Sequence, residues 1–231
     1  MFDITPTEWT AILLSIKVAT VATLVATPLG IALAYLLARR DFWGKSLLDA
    51  AVHLPLVLPP VVTGYLLLLA FGRRGPIGAF LADYFGIVLA FRWTGAALAC
   101  GVMSFPLLVR PIRLSIEAVD QRLEQASATL GAAPWQVFAT VTLPLALPGI
   151  LAGMVLGFAK AIGEFGATIT FVSNIPGETQ TISSAIYSLI QTPDGDTAAL
   201  RLVVISIVIA TSALIGSEWF ARRATQRLHG N

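Results

Sequence analysis

Charge is scarce in this chain. Asp, Glu, Lys and Arg make up 12% of its 231 residues against 56% hydrophobic, and the mean hydropathy of +0.81 lies outside the range of soluble domains. That scarcity excludes a solvated globular surface and marks an integral membrane protein. Cysteine is nearly missing as well. Cys100 stands alone, so no intrachain disulfide and no metal-binding cysteine pair can form, and it reads as a small apolar residue inside a helix. The two histidines, His53 and His229, are too far apart for a local ligand pair. No acidic partner is expected within a helical turn of either, which argues against a metal or acid–base site. Basic residues are missing from Met1 to Glu8, and the apolar stretch that follows is too long for a secretory signal, so it reads as a retained first span. A nucleotide loop is missing too. Gly44-Lys45-Ser46 resembles the end of one, but the glycine required five positions earlier is Arg39.

What is there is a set of charge-free runs. A hydrocarbon core about 30 Å thick takes roughly 20 apolar helical residues to cross, and five stretches suffice, at approximately 11–38, 50–72, 93–115, 145–164 and 200–219. Some need flanking charges to snorkel to the interface. The expectation is an all-α membrane protein of about five spans, forming a single transmembrane domain over 1–231. Residues 165–193 fit less well, because Gly166, Pro176, Gly177 and Glu178 lie among Ser and Thr. They predict an extracytoplasmic loop or a segment dipping part-way into the bilayer, with a sixth span as the alternative. Irregular backbone at that depth is tolerated only against protein or a water-filled cavity, so a dip would point to a pathway.

Lys and Arg in short loops set the orientation. With the N-terminus outside and the C-terminus cytoplasmic, Arg39, Arg40, Lys45, Arg110, Arg113, Arg122, Arg222, Arg223 and Arg227 fall inside, against Arg73, Arg74, Arg92 and Arg201 outside. The net charge of +2 therefore reflects membrane topology and does not imply a nucleic-acid partner.

The region 117–144 then lies in a cytosolic loop. From Glu117 to Leu130, apolar Val119, Leu123, Ala126 and Leu130 recur at helical spacing beside Asp120, Arg122 and Glu124, which predicts an amphipathic helix. Gly131 suits a left-handed C-terminal turn, and Pro134 the first position of a second helix. Leu143-Pro144 and Pro148 are expected to redirect the chain into the fourth span. A two-helix corner of this kind would serve as a rigid handle for a separate motor; an interfacial helix lying on headgroups is the alternative.

The handle resembles the conserved loop of importer permeases of ATP-binding-cassette (ABC) transporters, whose pattern is Glu-Ala-Ala, three residues, Gly, nine residues, Ile, one residue, Leu-Pro. Gln125, Ala126, Ser127, Gly131, Val141, Leu143 and Pro144 occupy those positions. Gln125 replaces the Glu, with Glu124 one residue early, and Ser127 replaces the second Ala. The stretches His53 to Val62 and Gly163 to Thr179 are similar to bacterial molybdate permeases, and in part to sulfate and thiosulfate permeases. The resemblance covers nearly the whole chain. It implies a type I importer permease of the bacterial inner membrane that passes molybdate, or the similar tungstate, and is not itself an enzyme. It also implies ATPase coupling through Leu123, Glu124, Gln125, Ala126, Ser127, Leu130, Gly131, Leu143 and Pro144, and leaves open whether Glu124 makes the acidic contact at the motor in place of the usual Glu. The implied partners are a second copy of the chain, two cytosolic ABC ATPase subunits and a periplasmic oxyanion-binding protein. No cofactor or metal is expected on this chain, since ATP and Mg belong to the ATPase.

Two further features are read from the residues. Gly149, Gly153, Gly157 and Ala161 recur every four positions, a small-residue stripe for close helix packing, either within the chain or near a central path. Neutral donors able to meet a dianion are Ser104, Thr168, Thr170, Ser173 and Asn174. Weak donors allow release, although each hydroxyl could instead bond a nearby carbonyl. Glu164 is expected to cap, to pair with Lys160, or to form a hinge. The competing classes are a secondary anion transporter, which would need buried ionisable residues or inverted repeats, and a membrane scaffold. Neither accounts for both the handle and the oxyanion-type stretches.

Overall fold

The structure is a computed structural model that describes residues 4–229, with side chains as far as Gly216. The side chains of Arg222, Arg223, Arg227 and His229 lie outside those described. The described residues form helices and turns. Four helices are long and apolar enough to cross a bilayer: α1 (Pro6–Arg39), α5 (Trp93–Glu117), the run Pro134–Ile162 that contains α7 (Pro134–Val137) and α8 (Leu143–Ile162), and α11 (Asp196–His229).

The stretch 50–72 is not one straight span. It divides into α2 (Lys45–Val57) and α3 (Pro60–Phe71), bent by 115°. Leu58 is driven to extended backbone, with ψ 145°, by the proline that follows it. Pro59 and Pro60 then supply no N–H to carry a helix across. Beyond it, α4 (Pro76–Phe85) closes the connection to α5.

Polar contacts at the two ends set the directions of the long helices. Arg201 Nη2 on the first turns of α11 donates to Glu8 Oε1 of α1 at 2.7 Å, and Lys17 of α1 lies 3.7 Å from the ring centre of Trp93, the first residue of α5. At the other end Arg39 of α1 reaches Val119, just past α5. Helices α1, α5 and α11 thus run parallel, and α8, whose base lies at the Arg39 end, runs against them.

The core is built where α5 is gripped by α1 and α8. The glycine stripe explains the closeness on one side. A Cβ added at Gly149 would lie 2.2 Å from Ser115 Cβ, and one at Gly153 would lie 2.5 Å from the Leu108 carbonyl oxygen. Both contacts are with α5, so the stripe packs within the chain. Cys100 is buried at the same contact and its thiol donates to the Ala161 carbonyl at 3.5 Å.

Residues 165–193 do not form a sixth span. They fold as α9 (Gly166–Val172) and α10 (Ile182–Leu189). With 7 residues, about 10 Å of helix, α9 is too short to cross, and Ala167, Phe171 and Val172 are buried among α1, α5 and α8. Its backbone is close to α3, since a Cβ at Gly64 would sit 2.5 Å from the Ala167 carbonyl oxygen. Glu164 sets the entry to α9, accepting from Lys160 Nζ at 2.7 Å and from the Ala167 N–H at 3.0 Å.

Candidate functional site

The handle stands at the Arg39 end. The helix expected from Glu117 to Leu130 is interrupted, because α5 ends at Glu117 and a fresh helix, α6 (Gln121–Thr129), starts after Asp120. Asp120 is the N-cap, its carboxylate accepting the Arg122 N–H at 2.9 Å, a contact that favours a new start over continuation. Val119 turns inward and is buried, so it leaves the apolar stripe. Leu123 and Leu130 are 51% and 89% exposed, and Trp135 beside them is 70% exposed.

Gly131 ends this helix with φ +90°, the left-handed turn that glycine permits without a Cβ clash. Pro134 then opens α7 at its first position, and Gln136 Oε1 accepts the Ala133 N–H at 2.7 Å. A cleft of about 280 Å³ opens between the two arms, with Gln121, Gln125 and Ala128 on one wall and Pro134 and Val137 on the other.

Leu143-Pro144 does not turn the chain. It continues helically from α7 into α8 through a π-turn at Phe138–Thr142, in which the Leu143 N–H reaches back to the Phe138 carbonyl. Pro144 cannot donate, and its ring would crowd the carbonyl four residues back. The wider turn absorbs the mismatch locally, as π-bulges do. Leu143 is therefore packed at the base of α8 against the core, and Pro144 sits beside it, half-buried.

The residues expected to touch a motor thus divide. Leu123, Gln125, Ala126, Leu130 and Gly131 are exposed on the handle and Ser127 is half-buried, whereas Leu143 and Pro144 belong to the span. Glu124 points inward, its carboxylate Oε1 accepting from Arg39 Nη2 at 3.1 Å and from Thr142 Oγ1 at 2.6 Å. The structure therefore assigns Glu124 to an internal tie and not to an outward acidic contact. Sequence reasoning missed Trp135, Thr142 and Arg39's inward role. A tryptophan following the helix-opening Pro134 was the available signal for the first; nothing local signals a partner 85 residues away.

A second polar group ties α2 to α5. Asp49 accepts from Arg113 Nη1 at 3.0 Å, and Arg113 Nε donates to Glu117 at 2.8 Å. Asp49 also lies one turn before His53, 3.5 Å from Nδ1, so the expectation of no acidic partner near His53 is corrected. The ammonium of Lys45, the first residue of α2, lies 2.8 Å from Asp41 in the loop before it and holds that carboxyl below the usual range.

The neutral donors are largely occupied. Ser104 donates to Gly101 O at 3.2 Å, Thr168 to Phe165 O at 2.9 Å and Thr170 to Gly166 O at 2.9 Å, all within their own helices or caps. Asn174 Nδ2 donates to Ser188 Oγ at 2.6 Å while its Oδ1 is buried without a partner. Ser173 is exposed with φ +65°.

Residues 26–226 match the family described as binding-protein-dependent transport system inner membrane component. The chain belongs to this family. It is 62% identical over 224 residues to the molybdenum transport system permease protein ModB of Escherichia coli (strain K12), covering 97% of this chain and 98% of that protein. The ModB protein of Haemophilus influenzae is 56% identical, with 96% of each chain covered. Among solved structures, a bacterial ABC transporter that imports the acidic polysaccharide alginate superposes with a TM-score of 0.75 at 18% identity, over 96% of this chain and 82% of that one. The all-helical fold is that of type I ABC importer permeases. The protein is accordingly a multi-pass inner-membrane permease subunit, a transport component and not an enzyme.

Proposed function

We propose that this permease passes molybdate, with tungstate as its near-isosteric competitor, across the bacterial inner membrane by alternating access between two copies of the chain. Two cytosolic ATPase subunits bind the handles formed by α6, Gly131 and α7, and a periplasmic oxyanion-binding protein delivers substrate at the opposite end. The Arg39 end is cytosolic, which puts the N-terminus outside and the C-terminus inside, in keeping with the excess of Lys and Arg in those loops. The chain folds as one permease domain, with the 50–72 stretch bent at Leu58-Pro59. ATP and Mg reside on the partner.

The observation that carries the reading is the handle. No residue of α6 is buried, and its apolar side chains point away from the bundle. An unpartnered apolar surface on a helix held by polar ties is a docking surface for another protein. The substrate follows from the extent and level of likeness to the molybdenum permeases. Sulfate is the weaker alternative.

The test is ATP hydrolysis by the chain co-reconstituted in liposomes with its ATPase and with molybdate-loaded, sulfate-loaded or empty binding protein. Stimulation by the molybdate-loaded protein, lost in Gly131→Pro while the complex still assembles, is the expected result. Stimulation by sulfate alone would overturn the substrate, and failure to associate with any ATPase would overturn the importer reading.

A further inference from the structure

A single carboxylate joins the handle to the bundle. Glu124 Oε1 accepts both Arg39 Nη2 and Thr142 Oγ1, and the same Nη2 donates to the Val119 carbonyl at 2.9 Å. The last turn of α1, the hinge between α5 and α6, and the π-turn beneath α8 therefore meet at one point. Tyr35, one turn before Arg39, packs edge-on against Phe138 at the other end of the π-turn, with ring centres 5.0 Å apart.

We propose that Arg39, Glu124 and Thr142 form a latch that transmits displacement of α6 to α1 and α8. They are positioning residues of the transport cycle and make no contact with the ATPase. The inference rests on the importer reading above.

Four observations support it. With α6 lacking buried side chains, displacement of the helix must reach the spans through its polar links and its two hinges. The Arg39 and Glu124 side chains are only 8% and 16% exposed, so their attraction is weakly screened and the bonds are charge-assisted. The π-turn is a local widening of the helix, of the kind that frequently sits at functional sites. Arg39 Nε is buried without a partner, which leaves the guanidinium a donor for a second arrangement of the carboxylate as α6 moves.

Thr142→Val keeps the side-chain shape and removes the donor, Thr142→Ser restores it, and Glu124→Gln removes the charge. Each is reconstituted with the ATPase and binding protein, and molybdate uptake per ATP hydrolysed is measured alongside ATPase co-purification. Loss of the Thr142 donor in Thr142→Val, or of the carboxylate charge in Glu124→Gln, is expected to lower uptake per ATP about tenfold, with co-purification retained and Thr142→Ser close to wild type. Unchanged uptake per ATP in both variants overturns the latch, and so does loss of ATPase association in Thr142→Val. If the wild-type chain neither recruits an ATPase nor takes up molybdate, the importer reading fails. Amide exchange of 121–129 in the solubilised chain then decides the latch by itself: about tenfold faster in Thr142→Val supports it, and equal exchange overturns it.

Discussion

Alanine at three positions of one helix should have opposite effects on stability, because the stripe on α8 does not approach α5 evenly. A Cβ at Gly153 would lie 2.5 Å from the Leu108 carbonyl oxygen, a backbone atom with no rotamer to escape into. A Cβ at Gly149 meets Ser115 Cβ at 2.2 Å and the Pro111 carbonyl oxygen at 2.6 Å, whereas one at Gly157 finds its nearest neighbour, Leu108 Cδ1, at 3.4 Å. Overpacking of this sort costs about 1–3 kcal/mol, and replacing glycine by alanine inside a helix returns about 1 kcal/mol. Gly153→Ala and Gly149→Ala should therefore destabilise by up to about 2 kcal/mol, and Gly157→Ala should stabilise by up to about 1 kcal/mol. Adding Ser115→Gly should relieve part of the Gly149→Ala cost and none of the Gly153→Ala cost. Reversible unfolding in mixed detergent micelles, followed by tryptophan fluorescence, gives these differences directly. Equal destabilisation at all three positions would refute the reasoning, since it would show that the stripe faces something other than α5.

Other consequences follow from single contacts. Glu8→Gln or Arg201→Met should each cost about 3 kcal/mol by stranding the partner of a largely buried pair, and the double variant should recover most of it in the same unfolding assay. Gly131→Ala meets nothing within 4 Å but must hold φ +90°, a strain of about 1–2 kcal/mol. The unfolding midpoint should fall by about 2–8 °C, and molybdate-stimulated ATP hydrolysis should fall severalfold while the complex still assembles. Cys100, fully buried against Ala161, should resist maleimide in the folded chain and react once it is unfolded.

Much of the architecture was legible because it rests on local chemistry. The charge-free runs mark α1, α5, α8 and α11 since a bilayer demands length and hydropathy alone. Gly131 and Pro134 mark the corner of the handle because each has one conformation it suits. Other features depend on what the chain meets elsewhere. The bend at Leu58-Pro59 was spelled out by two prolines, yet a hydropathy count does not weigh them. The break at Asp120 is a capping decision that the apolar spacing across it conceals. Burial of α9 is fixed by Gly64 and Gly166, which allow α3 to approach, and neither has a periodicity to read. Glu124 looked like a displaced motif acid because its partner Arg39 is remote in sequence, and Arg39 looked like an ordinary flanking charge. The glycine stripe was readable as a packing face, but which helix it met was not, because small residues admit any close neighbour.

Cross-linking at the handle tests the central claim most directly. In the complex with the ATPase, a maleimide carrying a photoreactive group is attached to Leu130→Cys, the exposed C-cap of α6, and to Thr142→Cys, beneath it, and the complex is irradiated. The account predicts an efficient link from position 130 to the ATPase and none from position 142. A link from 142, or none from 130 in an assembled and active complex, would contradict it.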